Sequence, residues 1–185
     1  NSLFKLMPES TNTGTNYIFT IEQFSFYNVD FQFNKATSIG LDIRMNGYSQ
    51  GGIKNAEFIQ CNFIENQDEE TINFELQKAK FENCTFQKNR AKTTLKLEYP
   101  NNSSDDNLQE ITLNNVQFSE NNGTSLDAPR YTKVIVSDSE FVGNNGSAIK
   151  AEYQVAVTNS IFQDLKESAI HVEGYEQPCY VEARN

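Results

Sequence analysis

The chain has 185 residues, with 25 acidic against 15 basic side chains, a net charge of −10 and 37% hydrophobic residues. Such a balance argues against a nucleic-acid partner, which calls for a basic surface. No apolar run reaches the roughly eighteen residues that a membrane-spanning helix needs, and no long stretch repeats at the helical period.

In chain order, the opening segment Asn1-Ser2-Leu3-Phe4-Lys5-Leu6 resembles Gly146-Ser147-Ala148-Ile149-Lys150-Ala151, the middle of a repeat met later. An insertion over 7–23 follows, and then one pattern recurs six times. Each copy is anchored by a Phe: Phe31, Phe63, Phe86, Phe118, Phe141 and Phe162, separated by 32, 23, 32, 23 and 21 residues. Three residues on stand Asn34, Asn66, Asn89, Asn121 and Asn144, and the sixth copy has Leu165 instead. A period in the low twenties, lengthened by insertions, marks a solenoid whose repeats bury their apolar faces against their neighbours.

Within each copy, a first strand is read from the pairs Phe24/Phe26, Ala56/Phe58, Ala79/Phe81, Ile111/Leu113, Val134/Val136 and Val155/Val157. All are apolar and two apart, as a strand with one buried face requires. The next small column is Val29, Cys61, Cys84, Val116, Ser139 and Ser160. Reaching it breaks the alternation, so the chain bends between them, at Asn28, Gln60, Asn83, Asn115, Asp138 and Asn159. Asn and Asp tolerate left-handed backbone angles there. The Phe column forms a second strand and the following Asn marks a second corner. A third strand is expected at Ile39/Leu41, Ile72/Phe74, Leu95/Leu97, Leu126/Ala128, Ile149/Ala151 and Ile170/Val172.

The expected fold is all-β, a right-handed parallel β-helix of about six coils. Each coil would have three short strands sending two side chains inward, and the stack would be on the order of 30 Å long. Insertions over 7–23, 42–55 and 98–110 all leave at the corner after the third strand. Tyr180-Val181-Glu182 reads as the start of one more strand. Neither end shows a polar cap, so 1–185 is expected to be a single domain, open at both ends, cut from a longer solenoid or stacking end to end on neighbours.

Equivalent Phe rings should stack along the axis, and equivalent Asn side chains should form a ladder of amide hydrogen bonds, which makes both columns structural. Cys61 and Cys84 share one inward column; their Cα atoms fall within disulfide range, while parallel Cβ vectors favour stacked thiols over a bridge. Cys179 has no partner in this pattern. Five Asn-x-Ser/Thr sequons, at Asn83, Asn101, Asn102, Asn122 and Asn145, are candidate N-glycosylation sites in a secreted protein.

The Phe-x-x-Asn phrase with the small-small-aliphatic segments Gly146-Ser147-Ala148-Ile149, Glu167-Ser168-Ala169-Ile170 and Gly123-Thr124-Ser125-Leu126 resembles the polymorphic outer-membrane protein repeat, with its F-x-x-N and G-G-A-I/L/V hallmarks. More broadly the chain is similar to the pectin-lyase-like superfamily of right-handed β-helices. The first resemblance implies an extracellular or surface-attached adhesion protein. The second implies polysaccharide lyases and hydrolases, which act on the outer face of the third strand. The motifs a polygalacturonase would carry, Asn-Thr-Asp, Gly-His-Gly and Arg-Ile-Lys, do not occur.

On that outer face, Gly40, Asn73, Lys96, Asp127, Lys150 and His171 precede a second column of Asp42, Glu75, Glu98, Pro129, Glu152 and Glu173. Asp42, Glu75, Glu98, Glu152 and Glu173 are the candidates for contact with a sugar or a cation, Ca²⁺ being the ion that carboxylate oxygens prefer. The plainer reading is a solvated face with Lys96, Lys150 and His171 pairing the acids. No catalytic residue and no resident metal or cofactor is assigned. The leading expectation is a non-enzymatic extracellular structural or adhesion segment, whose partners are further copies of itself, neighbouring coils or surface glycans. The alternative is a carbohydrate-binding or carbohydrate-cleaving protein that uses the acidic column.

Overall fold

The computed structural model describes residues 4–6, 20–32, 39–44, 52–67, 69–98, 108–174 and 180–184. These form a parallel β-helix of three sheets, with no helix among the described residues. Sheet A contains β1 (Phe4–Leu6), β4 (Ile39–Arg44), β7 (Glu70–Glu75), β10 (Thr93–Leu97), β13 (Thr124–Ala128), β16 (Ile149–Ala151) and β19 (Ile170–Val172). Sheet B contains β2 (Thr20–Tyr27), β5 (Gly52–Ile59), β8 (Lys78–Glu82), β11 (Gln109–Asn114), β14 (Thr132–Ser137), β17 (Gln154–Thr158) and β20 (Tyr180–Arg184). Sheet C contains β3 (Asp30–Gln32), β6 (Asn62–Ile64), β9 (Thr85–Gln87), β12 (Gln117–Ser119), β15 (Glu140–Val142) and β18 (Ile161–Gln163). The order A, B, C repeats along the chain, and each strand pairs in parallel with its equivalent one coil away.

The apolar columns set this register. Phe31, Phe63, Phe86, Phe118, Phe141 and Phe162 are direct partners across sheet C. Their rings stack nearly parallel, with centroids 4.7 Å apart up to Phe118 and 4.9 Å beyond it. Phe58 and Phe81 on sheet B form a second stack at 4.7 Å, and Phe74 meets Phe81 edge to face at 5.8 Å. Together with Ile72, Leu95, Leu113 and Leu126 these rings fill one continuous core. The strands of sheet C are three residues long and send only the Phe inward, not two side chains as expected, because the neighbouring inward residues belong to the corners.

The first corner falls at the residues expected for it. Asn28, Gln60, Asn83, Asn115, Asp138 and Asn159 all have φ between 48° and 56°. At the second corner the left-handed residue is the one before the Asn, Glu65, Lys88, Glu120 and Gly143, and in the sixth copy Asp164, before Leu165. Such angles cost non-glycine residues about 1–2 kcal/mol each. The cost is offset where the turn's main-chain N–H donates to a carbonyl one coil on, as Lys88 does to Ser119 and Glu120 does to Val142, both at 3.0 Å.

The Asn that follows is fully buried and its hydrogen bonds run in both directions. Asn89 Nδ2 donates to Asn121 Oδ1 at 3.0 Å and to the Phe63 carbonyl, one coil back, at 2.9 Å. Asn89 Oδ1 accepts from the Asn66 main-chain N–H at 3.0 Å and from Asn66 Nδ2 at 2.9 Å. Asn66, Asn121 and Asn144 repeat the pattern; at Leu165 the ladder has no amide oxygen to offer Asn144. Asn34 lies outside the described residues. Gly123 and Gly146 are needed for close approach: a Cβ on Gly123 would fall on the Lys92 carbonyl oxygen, and one on Gly146 would lie 2.5 Å from the Gly123 main chain.

Two expectations about boundaries are corrected. Strands occupy 20–23, 42–44, 52–55 and 109–110, which had been assigned to insertions, because sheet pairing continues past the inward pair, as in Thr20↔Gly52 and Gln23↔Asn55. The remaining insertion residues, 7–19, 45–51 and 99–107, lie outside the described residues. In the first coil, Leu41 and Ile43, not Ile39 and Leu41, oppose Ile72 and Phe74. A slip of two residues keeps every side chain on its face, so alternation alone does not detect it.

Replacing Asn89 with Ala strands the donors of Asn66 and the carbonyl of Phe63, and should cost on the order of 3 kcal/mol in urea unfolding. Leu165→Asn supplies the acceptor that the ladder lacks, and should raise stability by about 1 kcal/mol in the same measurement.

Candidate functional site

The outward side of sheet A carries the residues singled out for contact with a ligand. The register places Asp42 opposite Asn73, which in turn opposes Lys96, then Asp127, Lys150 and His171. Asp42 therefore belongs to the mixed column and Gly40 leaves it, a second consequence of the two-residue slip; Arg44 is the residue opposite Glu75. The acidic column is reduced to Glu75, Glu98, Glu152 and Glu173, interrupted by Pro129. The side chains of Asp42 and Glu75 lie outside the described ones.

The acids whose side chains are described are held by neighbours. Glu98 Oε1 accepts from Asn73 Nδ2 at 2.8 Å and lies 3.6 Å from Lys96 Nζ. Lys96 Nζ also reaches Glu70 Oε1 at 2.5 Å, so one ammonium bridges two carboxylates. His171 Nε2 is 3.6 Å from Glu173 Oε2, an ion pair once the imidazole is protonated. Burial alone would lower the Lys96 ammonium, but the hydrogen bond and charge of Glu70, with Glu98 behind them, hold it above its ordinary value. Among the described residues no group of three or more His, Cys, Asp or Glu side chains is arranged to hold a metal ion.

Cys61 and Cys84 are buried, free thiols. Each sulfur has two carbonyls within reach of its one S–H: that two residues back, Ile59 or Glu82, at 3.4 Å, and one in the preceding coil. The two side chains thus share one orientation, which holds their sulfurs parallel rather than joined. Burial raises both thiols, Cys84 to about 11. Cys179 lies outside the described residues.

Of the sequons, Asn83, Asn122 and Asn145 are exposed at corners, while Asn101 and Asn102 lie outside the described residues. Asn83 Oδ1 accepts from Asn115 Nδ2 at 2.6 Å, and Asn122 Oδ1 from Asn145 Nδ2 at 2.9 Å, so an outer carboxamide stack accompanies the inner one.

Two groupings were not anticipated. Gln109, fully buried at the third corner, donates through Nε2 to the carbonyls of Leu76 at 2.9 Å and Glu98 at 3.1 Å, and accepts from Thr132 Oγ1 at 3.0 Å. Its parity with Ile111 and Leu113 was the available signal: a polar residue on an apolar face. The bridge from Glu70 to Lys96 had no such signal, because the acid is offset from the column of its partner. Asn73 is fully buried although it stands on the outward side.

No protein-family model and no curated protein matches this chain. No helix of the described residues is long and apolar enough to cross a membrane.

The raised groups Lys96, Cys61 and Cys84 all contribute stability that is complete below their unfolded values and is lost as pH rises through the folded ones. Thermal unfolding should therefore hold its midpoint up to the ordinary thiol value of 9.0 and decline between there and about 11. Cys84→Ser should flatten part of that decline when melting is followed by circular dichroism across the series.

Proposed function

We propose that the chain is a non-enzymatic structural or adhesion segment of an extracellular protein, a stiff rod that presents its corner insertions to the surroundings. The resemblance to polymorphic outer-membrane repeats points the same way. The observation that carries this reading is the direction of the bonding. Among the described residues, the Phe stack, the Asn ladder and the main-chain bonds of the left-handed corners all join one coil to the next. Side chains that a carbohydrate-active protein would leave free to meet a substrate, Glu98 and Glu173, are instead engaged by Asn73, Lys96 and His171. Among the described residues, the first and last strands of each sheet pair on one side, an arrangement that suits association with further parallel coils. Asn83, Asn122 and Asn145 stand where a glycan would project into solvent.

A second reading, carbohydrate binding or cleavage, draws on one observation: Glu152 and Glu173 lie one coil apart on the outward side of sheet A, beside Lys150 and His171. The two readings separate in one experiment. The purified chain and its Glu152→Gln/Glu173→Gln variant are compared by sedimentation at rising concentration and by retention on a panel of neutral and acidic polysaccharides. The structural reading expects concentration-dependent assembly that the double variant leaves unchanged. Retention or turnover of a polysaccharide that the variant loses, in a chain that stays monomeric, would transfer the assignment to the second reading.

A further inference from the structure

We propose that Asn122–Gly123 is a site of spontaneous covalent modification, in which the next coil assists the reaction. The Gly123 main-chain nitrogen gives up its proton to solvent and bonds to Cγ of Asn122. The Cγ–Nδ2 bond breaks, and the amide nitrogen takes a proton from water and leaves as ammonia. One water molecule then opens the cyclic imide at either carbonyl, giving an aspartate or an isoaspartate. The balance is a carboxamide and water converted to a carboxylic acid and ammonia, with no co-reactant beyond solvent.

Four features place the reaction here. The residue after Asn122 has to be glycine, because a Cβ there would fall on the Lys92 carbonyl oxygen; close stacking thus leaves the attacking nitrogen unshielded. The Gly123 N–H donates to no acceptor among the described residues, whereas the next N–H, of Thr124, is held by Lys92 at 2.9 Å. Asn122 is exposed, and its Oδ1 accepts a hydrogen bond from Asn145 Nδ2 at 2.9 Å. That donor sits where negative charge develops when Gly123 attacks, in the manner of an oxyanion hole. Finally, Asn122 borders a groove shared with Lys88 and Arg90 as well as Glu65 and Glu120, so a new carboxylate has cations at hand.

Asn145–Gly146 repeats the dipeptide one coil on but lacks this arrangement. Its carboxamide nitrogen, the leaving group, is engaged by Asn122; Gly146 is buried; and the equivalent residue in the following coil is Lys166. The two products at 122 also differ in consequence. An aspartate leaves the main chain intact, whereas an isoaspartate lengthens it by one methylene.

The folded protein is incubated in mildly alkaline buffer made with heavy-oxygen water, and conversion at each Asn is followed by peptide mapping with mass spectrometry. Position 122 should convert ahead of 145 in the folded protein, and the two should convert alike in a urea-unfolded sample. Asn145→Ala, and Asn145→Asp as a variant of nearly unchanged size, should slow conversion at 122 roughly fivefold, with folding checked by circular dichroism. Equal rates at 122 and 145 in the folded protein, no conversion at 122, or an unchanged rate in both variants would overturn the proposal.

Discussion

A parallel coil stacked on its like brings each residue against its own equivalent, and that repetition is the constraint from which the rest of the structure follows. Side chains that attract copies of themselves are favoured, and those that repel copies of themselves are penalised along the whole column. The carboxamide suits this requirement because it carries a donor and an acceptor in one planar group. Asn66, Asn89, Asn121 and Asn144 therefore hydrogen-bond from coil to coil with the donor of one meeting the acceptor of the next. The Phe ring meets the same requirement through dispersion, and the 4.7 Å separation of stacked rings is the strand spacing itself.

Charge cannot follow this rule, and the outer surface shows how it is accommodated. Lys78 opposes Glu110, which opposes Lys133, so neighbouring coils on sheet B alternate in sign. On sheet A, Lys96 opposes Asp127, which opposes Lys150, and Lys96 also reaches sideways to Glu70 and Glu98. The chain thus interleaves bases with part of its excess of acids, and the outer column of Glu75, Glu98, Glu152 and Glu173 is interrupted by Pro129. Glu65, Lys88 and Glu120 show the same alternation at the second corner, where they also accept a left-handed backbone. A residue type poorly suited to that conformation is held there by the main-chain hydrogen bond to the following coil, so the corner depends on the stack and would not persist in an isolated repeat.

The same closeness of coils has a chemical consequence at Asn122. Glycine is demanded by packing at Gly123, and asparagine stacks on asparagine just outside it. Stability of the coil and lability of the dipeptide arise from one geometric condition, the absence of any space for a side chain beside the Lys92 carbonyl.

The amino-acid sequence alone determined the period, the apolar columns, the Phe and Asn ladders and the left-handed first corner. Each of these rests on a residue type whose local physics is repeated at a fixed interval. Phe4–Leu6 and Tyr180–Arg184 were likewise legible as strands of flanking coils, because they match segments of complete repeats. Only the tertiary structure decided the register of β4, since a slip of two residues changes no inward or outward assignment and is resolved by hydrogen bonding to β7. It alone also placed Lys96 between Glu70 and Glu98 and buried Asn73, because those contacts depend on how coils overlap sideways. The candidate surface was thus half legible: its composition could be read along the chain, but which acid meets which base is a property of the stack.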